Sequence, residues 1–204
     1  MAIDQRYFRK IITLVAPGSR VLDLGCGDGQ LLELLAKTKQ VQGYGIEIDS
    51  EAVAACVRHG ISVFQGNIDA GLAGISDRTY DYVILSQTLQ QVRKPQYVLS
   101  EMLRVGRRAI VTFPNFANWK SRLQILFGKA PSTRSLPYQW YDTPNIRVIT
   151  IADFKAMCAK EGIRIAAEIP VFHHPLFLGR VPRRWGNLIA DEAIFLLEKT
   201  PTPA

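Results

Sequence analysis

Three glycines and two carboxylates crowd the stretch VLDLGCGDGQLLELL, residues 21–35. Gly25, Gly27 and Gly29 follow a short apolar run and open a helix-forming one. Such a turn lets backbone amides approach a ligand closely, beside a helix N-terminus that favours anionic groups. A dinucleotide is the first candidate, but its GxGxxG pattern needs a third glycine at position 30, which is Gln30. Asp23 and Asp28 also flank the turn. Each would repel a pyrophosphate by on the order of a few kcal/mol, even at an effective dielectric of ~20.

S-adenosylmethionine meets the same constraints without that conflict. It has no phosphate, and it carries a sulfonium, an α-ammonium and an α-carboxylate. Asp23 and Asp28 can hold the ammonium, while the amides of Gly25, Cys26, Gly27 and Gly29 accommodate the carboxylate end. Glu47 closes the next apolar run, 18 residues after Gly29, and is followed by Ile48. A carboxylate there can accept both ribose hydroxyls. In QGNIDAGL, Asn67 offers itself to the adenine amine and the Ile68 backbone to a ring nitrogen, with Asp69 as the alternative if the turn is shifted. Ser86 and Gln87, after the fourth apolar run, are further candidates for the cofactor site.

Methyl transfer from such a cofactor is an in-line displacement, which mainly needs a nucleophile held about 3 Å from the methyl. A base is required only when the acceptor must lose a proton. The stretch SQTLQQV supplies Gln87, Gln90 and Gln91, which can orient an acceptor but cannot take its proton near neutral pH. The NPPY-type signature of amino-methylating enzymes is absent, and no catalytic residue is assigned. Tyr138, Trp140 and Tyr141, in LPYQWYDTPNI, are candidates for substrate or partner contact. His173 and His174 are adjacent but lack a third metal ligand, so no metal site is expected. His59 suits the end of a helix, where a cation complements the dipole. Asp4 and Tyr7 could close over the cofactor or simply pack.

These residues need a frame to position them. The 204 residues are 48% hydrophobic, enough for one domain with a sizeable core. No apolar run approaches 18 residues, and the N-terminal stretch reads as an amphipathic helix rather than a signal peptide. Cys26, Cys56 and Cys158 have no CxxC spacing and read as reduced thiols of a cytoplasmic protein. The net charge of +7 is uneven. Residues 1–92 carry 8 basic and 10 acidic side chains, residues 93–184 carry 16 and 5, and residues 185–204 carry 1 and 3. The electropositive middle suits an acidic partner or anion. It also raises RNA modification as a reading, against which no Lys/Arg cluster is interleaved with stacking aromatics.

Along the first half, strands and helices alternate: RVLDLG, VQGYGIEI, ISVFQG, YDYVILS and RAIVTF are strands, with helices between most of them. That alternation predicts a parallel sheet with right-handed crossovers. NFANWKSRLQILFG reads as a helix, followed by an irregular loop over about 128–147. Thr150 and Asp153 then form a capping-box start to IADFKAMCAKEG. IRIAAEIPVF and EAIFLLEK have no clear helix between them and should pair antiparallel. One domain over residues 1–204 is expected, with about 116–147 forming a lid or a docking insertion.

VLDLGCGDG, GIEID, QGNID and YDYVILSQTLQQV together resemble the class I S-adenosylmethionine-dependent methyltransferases over about residues 1–115. The resemblance implies a Rossmann-like α/β fold with a seven-stranded, mostly parallel sheet, the last strand antiparallel and helices on both faces. It places Asp23, Gly25 and Gly27 at the methionine end, Glu47 at the ribose and Asn67 near adenine. With GYGIEID, MLRVGRRAIVTFPNF, LPYQWYDTPNIR and NLIADEAIFLLEK, the chain is similar to the MetW family of methionine-biosynthesis proteins over nearly its whole length. That likeness implies a partnership with homoserine O-acetyl- or O-succinyltransferase. A small-molecule methyltransferase is the other reading that the residues leave open.

Overall fold

The computed structural model of the chain describes residues 5–173 and 185–200. Asp4, His174 and most of the basic stretch before Trp185 lie outside them. In chain order the elements are α1 (Gln5–Leu14), β1 (Arg20–Leu24), α2 (Gln30–Lys39), β2 (Gln42–Glu47), α3 (Ser50–Arg58), β3 (Ser62–Gln65) and β4 (Tyr80–Ser86). There follow α4 (Pro95–Val105), β5 (Gly106–Pro114), α5 (Trp119–Leu126), α6 (Ile151–Lys160), β6 (Ile163–Val171), α7 (Gly186–Ile189) and β7 (Glu192–Lys199). The strands form one seven-stranded sheet in the order β3-β2-β1-β4-β5-β7-β6. β1 to β5 run parallel, and β7 runs antiparallel to both β5 and β6.

The sheet is buried on both faces, which is why its central strands read as continuous apolar runs. Alternate residues along each strand feed opposite cores. Leu22, Val83, Leu85, Val111 and Phe195 join α4 and α6 on one side. Val21, Ile84, Ile110 and Ile194 join α1 and α2 on the other. The first core centres on Phe113, whose ring lies 4.8 Å from Phe154 and 5.7 Å from Phe195.

Local chemistry sets the helix starts. Asp49 accepts from the Ala52 amide at 2.9 Å, and Thr150 accepts from Asp153 at 3.0 Å. Pro95 occupies the first turn of α4. One helix begins later than its sequence suggests. Asn115 turns the chain instead of entering α5, because its buried side-chain amide donates to the Asn187 and Ala190 carbonyls at 2.9 and 3.0 Å. Asn118 then caps α5 by accepting from Ser121 at 3.0 Å. Two short 3-10 turns, Ile68–Ala70 and Leu89–Gln91, and the brief α7 also lie where no regular element is expected from sequence. Among the described residues, no helix is long and apolar enough to cross a membrane. All three cysteines are buried free thiols.

Candidate functional site

β1 sits between β2 and β4, so the chain leaves it in opposite directions on either side. Open α/β sheets form a crevice at the carboxyl ends of the strands at such a point. Every predicted cofactor residue falls there. Asp23 and the glycine turn end β1, Glu47 and Ile48 end β2, Asn67 and Ile68 follow β3, and Ser86 and Gln87 end β4.

The glycine turn needs its glycines. Gly25 has φ +69°, and a Cβ there would lie 2.9 Å from both Thr88 Cγ2 and Oγ1. Gly27 has φ +56°, yet its Cβ would meet nothing within 4 Å. Both glycines are favoured by their left-handed backbone; packing against Thr88 also requires Gly25, whereas Gly27 leaves the turn open on that side. The Gly27 N–H donates to Glu47 Oε2 at 2.8 Å. Glu47 Oε1 accepts from the Ile48 and Asp49 amides at 2.7 and 3.0 Å. This carboxylate is thus oriented from both sides, and a ribose hydroxyl would compete with the Gly27 amide for Oε2.

Asp23 is 2% exposed, and its Oδ1 has no hydrogen-bond partner. Burial, and then the neighbouring Glu47 charge, push its carboxyl up to about 8. A buried acceptor without a donor is costly on its own, and a cationic donor group satisfies it. The donor set therefore fits the ammonium end of S-adenosylmethionine. When bound, that cofactor would supply an electrophilic methyl group, with Asp23, the glycine turn and Glu47 holding it.

The other predicted residues differ in role. The Cys26 thiol points into the core, 3.9 Å from Cys56 Sγ, and the amides expected to take the carboxylate end are instead used within the fold: Gly25 and Cys26 donate to the Ile46 carbonyl at 2.7 and 3.3 Å, and Gly29 donates to the Cys26 carbonyl at 3.1 Å. Asp28 accepts from Gln30 Nε2 at 2.6 Å, and its carbonyl lies 3.2 Å from His59 Nδ1. His59 thus ties the end of α3 to the glycine turn. Asn67 Oδ1 accepts from the Asp69 amide, and Asp69 in turn accepts from the amides of Arg93 and Lys94. Asp69 is therefore committed to joining its turn to α4. Ile48 is solvent-exposed beside Glu47, where it can flank a flat ring.

A second set of polar side chains lies at the same end of the sheet. Because β7 is antiparallel, its first residue, Glu192, meets Pro114 at the carboxyl end of β5. Glu192 Oε2 accepts from Gln87 Nε2 at 3.1 Å, and Oε1 lies 2.9 Å from His173 Nε2. Gln87 Nε2 also donates to Tyr7 Oη at 2.9 Å, and the Tyr7 hydroxyl donates to Thr112 Oγ1. Tyr7 is thus part of this network as well as of the core. Burial pushes its phenol far up, with the Glu192 charge adding to the effect. The Glu192 hydrogen bond raises the His173 pKa, against an opposing effect of burial. Glu192 and Thr112 lie in the stretches NLIADEAIFLLEK and MLRVGRRAIVTFPNF, but nothing in the sequence singles them out as site residues.

Glu192→Gln should bring the His173 pKa down towards or below its usual 6.5, because burial would remain and the carboxylate would not. Ring-proton NMR titration measures this directly. In the wild type the His173–Glu192 pair stabilises the fold below the unfolded-state value near 6.5, and that contribution is lost as pH rises through the raised folded value. An unchanged titration in the variant would dissociate the two groups.

The aromatic loop is fastened at both ends but open at its tip. Gln124 exchanges two hydrogen bonds with the Ser132 backbone, at 2.8 and 2.9 Å. The Ile146 and Arg147 amides both donate to the Gln90 carbonyl, at 3.0 and 3.1 Å. Leu136 is buried, whereas Trp140 and Tyr141 are more than 70% exposed and pack edge-to-face on each other. Tyr138 is also exposed. Among the described residues, no group of three or more His, Cys, Asp or Glu side chains could hold a metal ion.

Comparison with known proteins agrees with this fold. The sequence profile described as "Methionine biosynthesis protein MetW" matches residues 5–197. The chain belongs to the MetW family. A bifunctional methionine biosynthesis protein MetXA/MetW from Rhodopirellula baltica is 37% identical over 78% of the chain. The matched region spans only 27% of that relative. A ubiquinone biosynthesis O-methyltransferase from Burkholderia pseudomallei is 28% identical over 78% of this MetW-family chain and 71% of its own length. A SAM-dependent methyltransferase from Archaeoglobus fulgidus superposes with a TM-score of 0.69 at 15% identity, covering 96% of this chain and 92% of that one. The fold is therefore that of the Rossmann-like methyltransferases, in a methionine-biosynthesis family.

Proposed function

We propose that this MetW-family chain binds S-adenosylmethionine or S-adenosylhomocysteine in the β1–β2 crevice and acts as a cytoplasmic partner of a homoserine O-acetyl- or O-succinyltransferase. The cofactor reading rests on Asp23, a buried carboxylate with an unpartnered oxygen beside a glycine turn open at Gly27. Glu47, Ile48, the Asn67–Ile68 turn, Ser86 and Gln87 would complete the site around ribose and adenine. The partnership is supported by the relative that joins MetXA and MetW in one bifunctional protein. Fusion keeps two modules at high effective concentration, which favours pairs that work together. Three free thiols are in keeping with the cytoplasm.

A second reading has its own observation. Gln87 cannot accept a proton, but it touches Glu192, which holds His173. A His–carboxylate pair is a suitable general base, so a proton-bearing small molecule could be methylated here.

Calorimetry with S-adenosylmethionine and S-adenosylhomocysteine, alone and with the acyltransferase, tests the first reading. Both ligands should bind. Cofactor and acyltransferase should change each other's affinity by the same factor if the cofactor regulates the pair. Failure of both ligands to bind a folded protein would remove the cofactor assignment. Failure of the acyltransferase to associate would remove the partnership. Acceptor-dependent release of S-adenosylhomocysteine without the acyltransferase would favour the second reading.

A further inference from the structure

α5 leaves its apolar residues exposed instead of burying them. Its one buried residue is Ser121, whose hydroxyl has no hydrogen-bond partner. Trp119, Leu123, Ile125 and Leu126 are exposed on it, as is Phe127 immediately after it. Trp119, Leu123 and Phe127 follow i, i+4, i+8 spacing and line a groove of about 370 Å³ with Lys120, Gln124 and Lys129. The concentration is specific to this part of the chain. Of the 15 exposed large hydrophobic residues described, 10 lie between Trp119 and Val148. Surface apolar residues gathered in this way mark an interaction site rather than ordinary exposure. The Gln124–Ser132 hydrogen bonds fasten the aromatic loop to the same helix, so its early part and α5 belong to one surface.

Charge selects the occupant. Residues 119–148 contain Lys120, Arg122, Lys129, Arg134 and Arg147 against the single acid Asp142, a net of +4. Lys120 reaches Asp191 at 3.5 Å, outside this segment. A second copy docking here through the same patch would set one net-cationic patch against another, because a two-fold interface pairs a patch with itself. A partner with acidic residues around an apolar ridge meets no such repulsion, and opposite charge would steer its approach.

We infer that the α5 groove, with its cationic rim, is the docking surface for an acid-rimmed apolar ridge of the homoserine O-acyltransferase. The inference rests on the partnership proposed above and adds where it occurs. Trp119, Leu123 and Phe127 act as anchors and Lys129 as a steering charge. The surface lies on a helix rather than on the glycine turn, so cofactor binding and docking are separable by mutation.

The test uses the full chain and the purified acyltransferase of the same organism, titrated by calorimetry. Leu123→Asp/Phe127→Asp should weaken the complex roughly a hundredfold, since two central apolar anchors are lost. Lys129→Glu, a milder surface change, should weaken it several-fold, with most of that loss disappearing in high salt. S-adenosylmethionine affinity, measured on the same variants, should match wild type and reports that they are folded. Wild-type affinity for the acyltransferase in both variants, with cofactor binding intact, would overturn this surface and leave the partnership standing. Absence of any wild-type complex would overturn both. Sedimentation showing a wild-type dimer that Leu123→Asp/Phe127→Asp dissociates would overturn the inference in favour of self-association.

Discussion

Asp23→Asn should lower S-adenosylmethionine affinity roughly a hundredfold or more, the scale expected when one partner of a buried charge pair is removed. The same substitution should make the ligand-free protein more stable than wild type at alkaline pH. Both effects follow from one carboxyl group. Burial, reinforced by Glu47, pushes Asp23 up to about 8, so at pH 7 it holds a proton in the free protein. A cationic ligand favours the ionised form and should expel that proton. Wild-type affinity should therefore rise with pH up to about 8 and then flatten. Calorimetric enthalpies below that pH should differ between buffers of different ionisation enthalpy.

The stability sign is the reverse of the usual carboxylate case. Above about pH 4 the unfolded chain has lost this proton, while the folded chain keeps it until about pH 8. The native state binds more protons across that window, so stability falls as pH rises through it. Asparagine is neutral throughout, so the variant's advantage should grow over the same window. For a chain of this size each kcal/mol gained shifts the melting temperature by roughly 2–4 °C. Thermal melts at pH 5 and pH 9, on variant and wild type, measure the difference. A pH-independent difference would mean that Asp23 titrates like an exposed carboxylate, and unchanged cofactor affinity would place the ammonium elsewhere.

Why Asp23 could be recognised from sequence, and Glu192 could not, comes down to strand direction. Asp23 lies in a continuous apolar run that ends in a glycine turn, so burial and position are both written locally. Glu192 is one acidic residue at the start of a strand. It reaches the site only because β7 runs antiparallel, which brings its beginning level with the end of β5. The two late strands were legible as an antiparallel pair, but the alignment of their ends with β4 and β5 was not. Gln87 marks the same limit: it reads as an orienting residue, and only its contact with Glu192 links it to His173. α5 shows a different one. Its sequence reads as a helix that begins a lid or docking insertion, because periodicity reports where apolar residues fall on a helix and not what covers them. The delayed start of α5 arises because Asn115 and Asn118 are equally good cap residues, and only the Asn187 and Ala190 carbonyls engage the first.

Gly27→Ala should lower cofactor affinity at least tenfold while costing the fold only about 1–2 kcal/mol, the price of a left-handed alanine. At φ +56° the added Cβ is strained but meets nothing within 4 Å. The space it enters lies on the turn whose N–H orients Glu47 Oε2, so the methyl group should intrude on a ligand rather than on the protein. Gly25→Ala is the necessary contrast. There the Cβ would come within 2.9 Å of Thr88, whose hydroxyl donates to the Ser86 carbonyl at 2.9 Å. That substitution must disturb the β4 end as well as strain the turn, so fold and binding should fail together. Comparing the melting temperature with cofactor affinity for both variants separates the roles. Wild-type affinity in Gly27→Ala would mean that the ligand does not cross the turn at this glycine. A stability loss equal to that of Gly25→Ala would mean that the open space is closed by the protein itself. A small stability loss with a much larger loss of affinity would assign the opening at Gly27 to the cofactor, because the left-handed backbone accounts for the first and nothing in the protein's own packing accounts for the second.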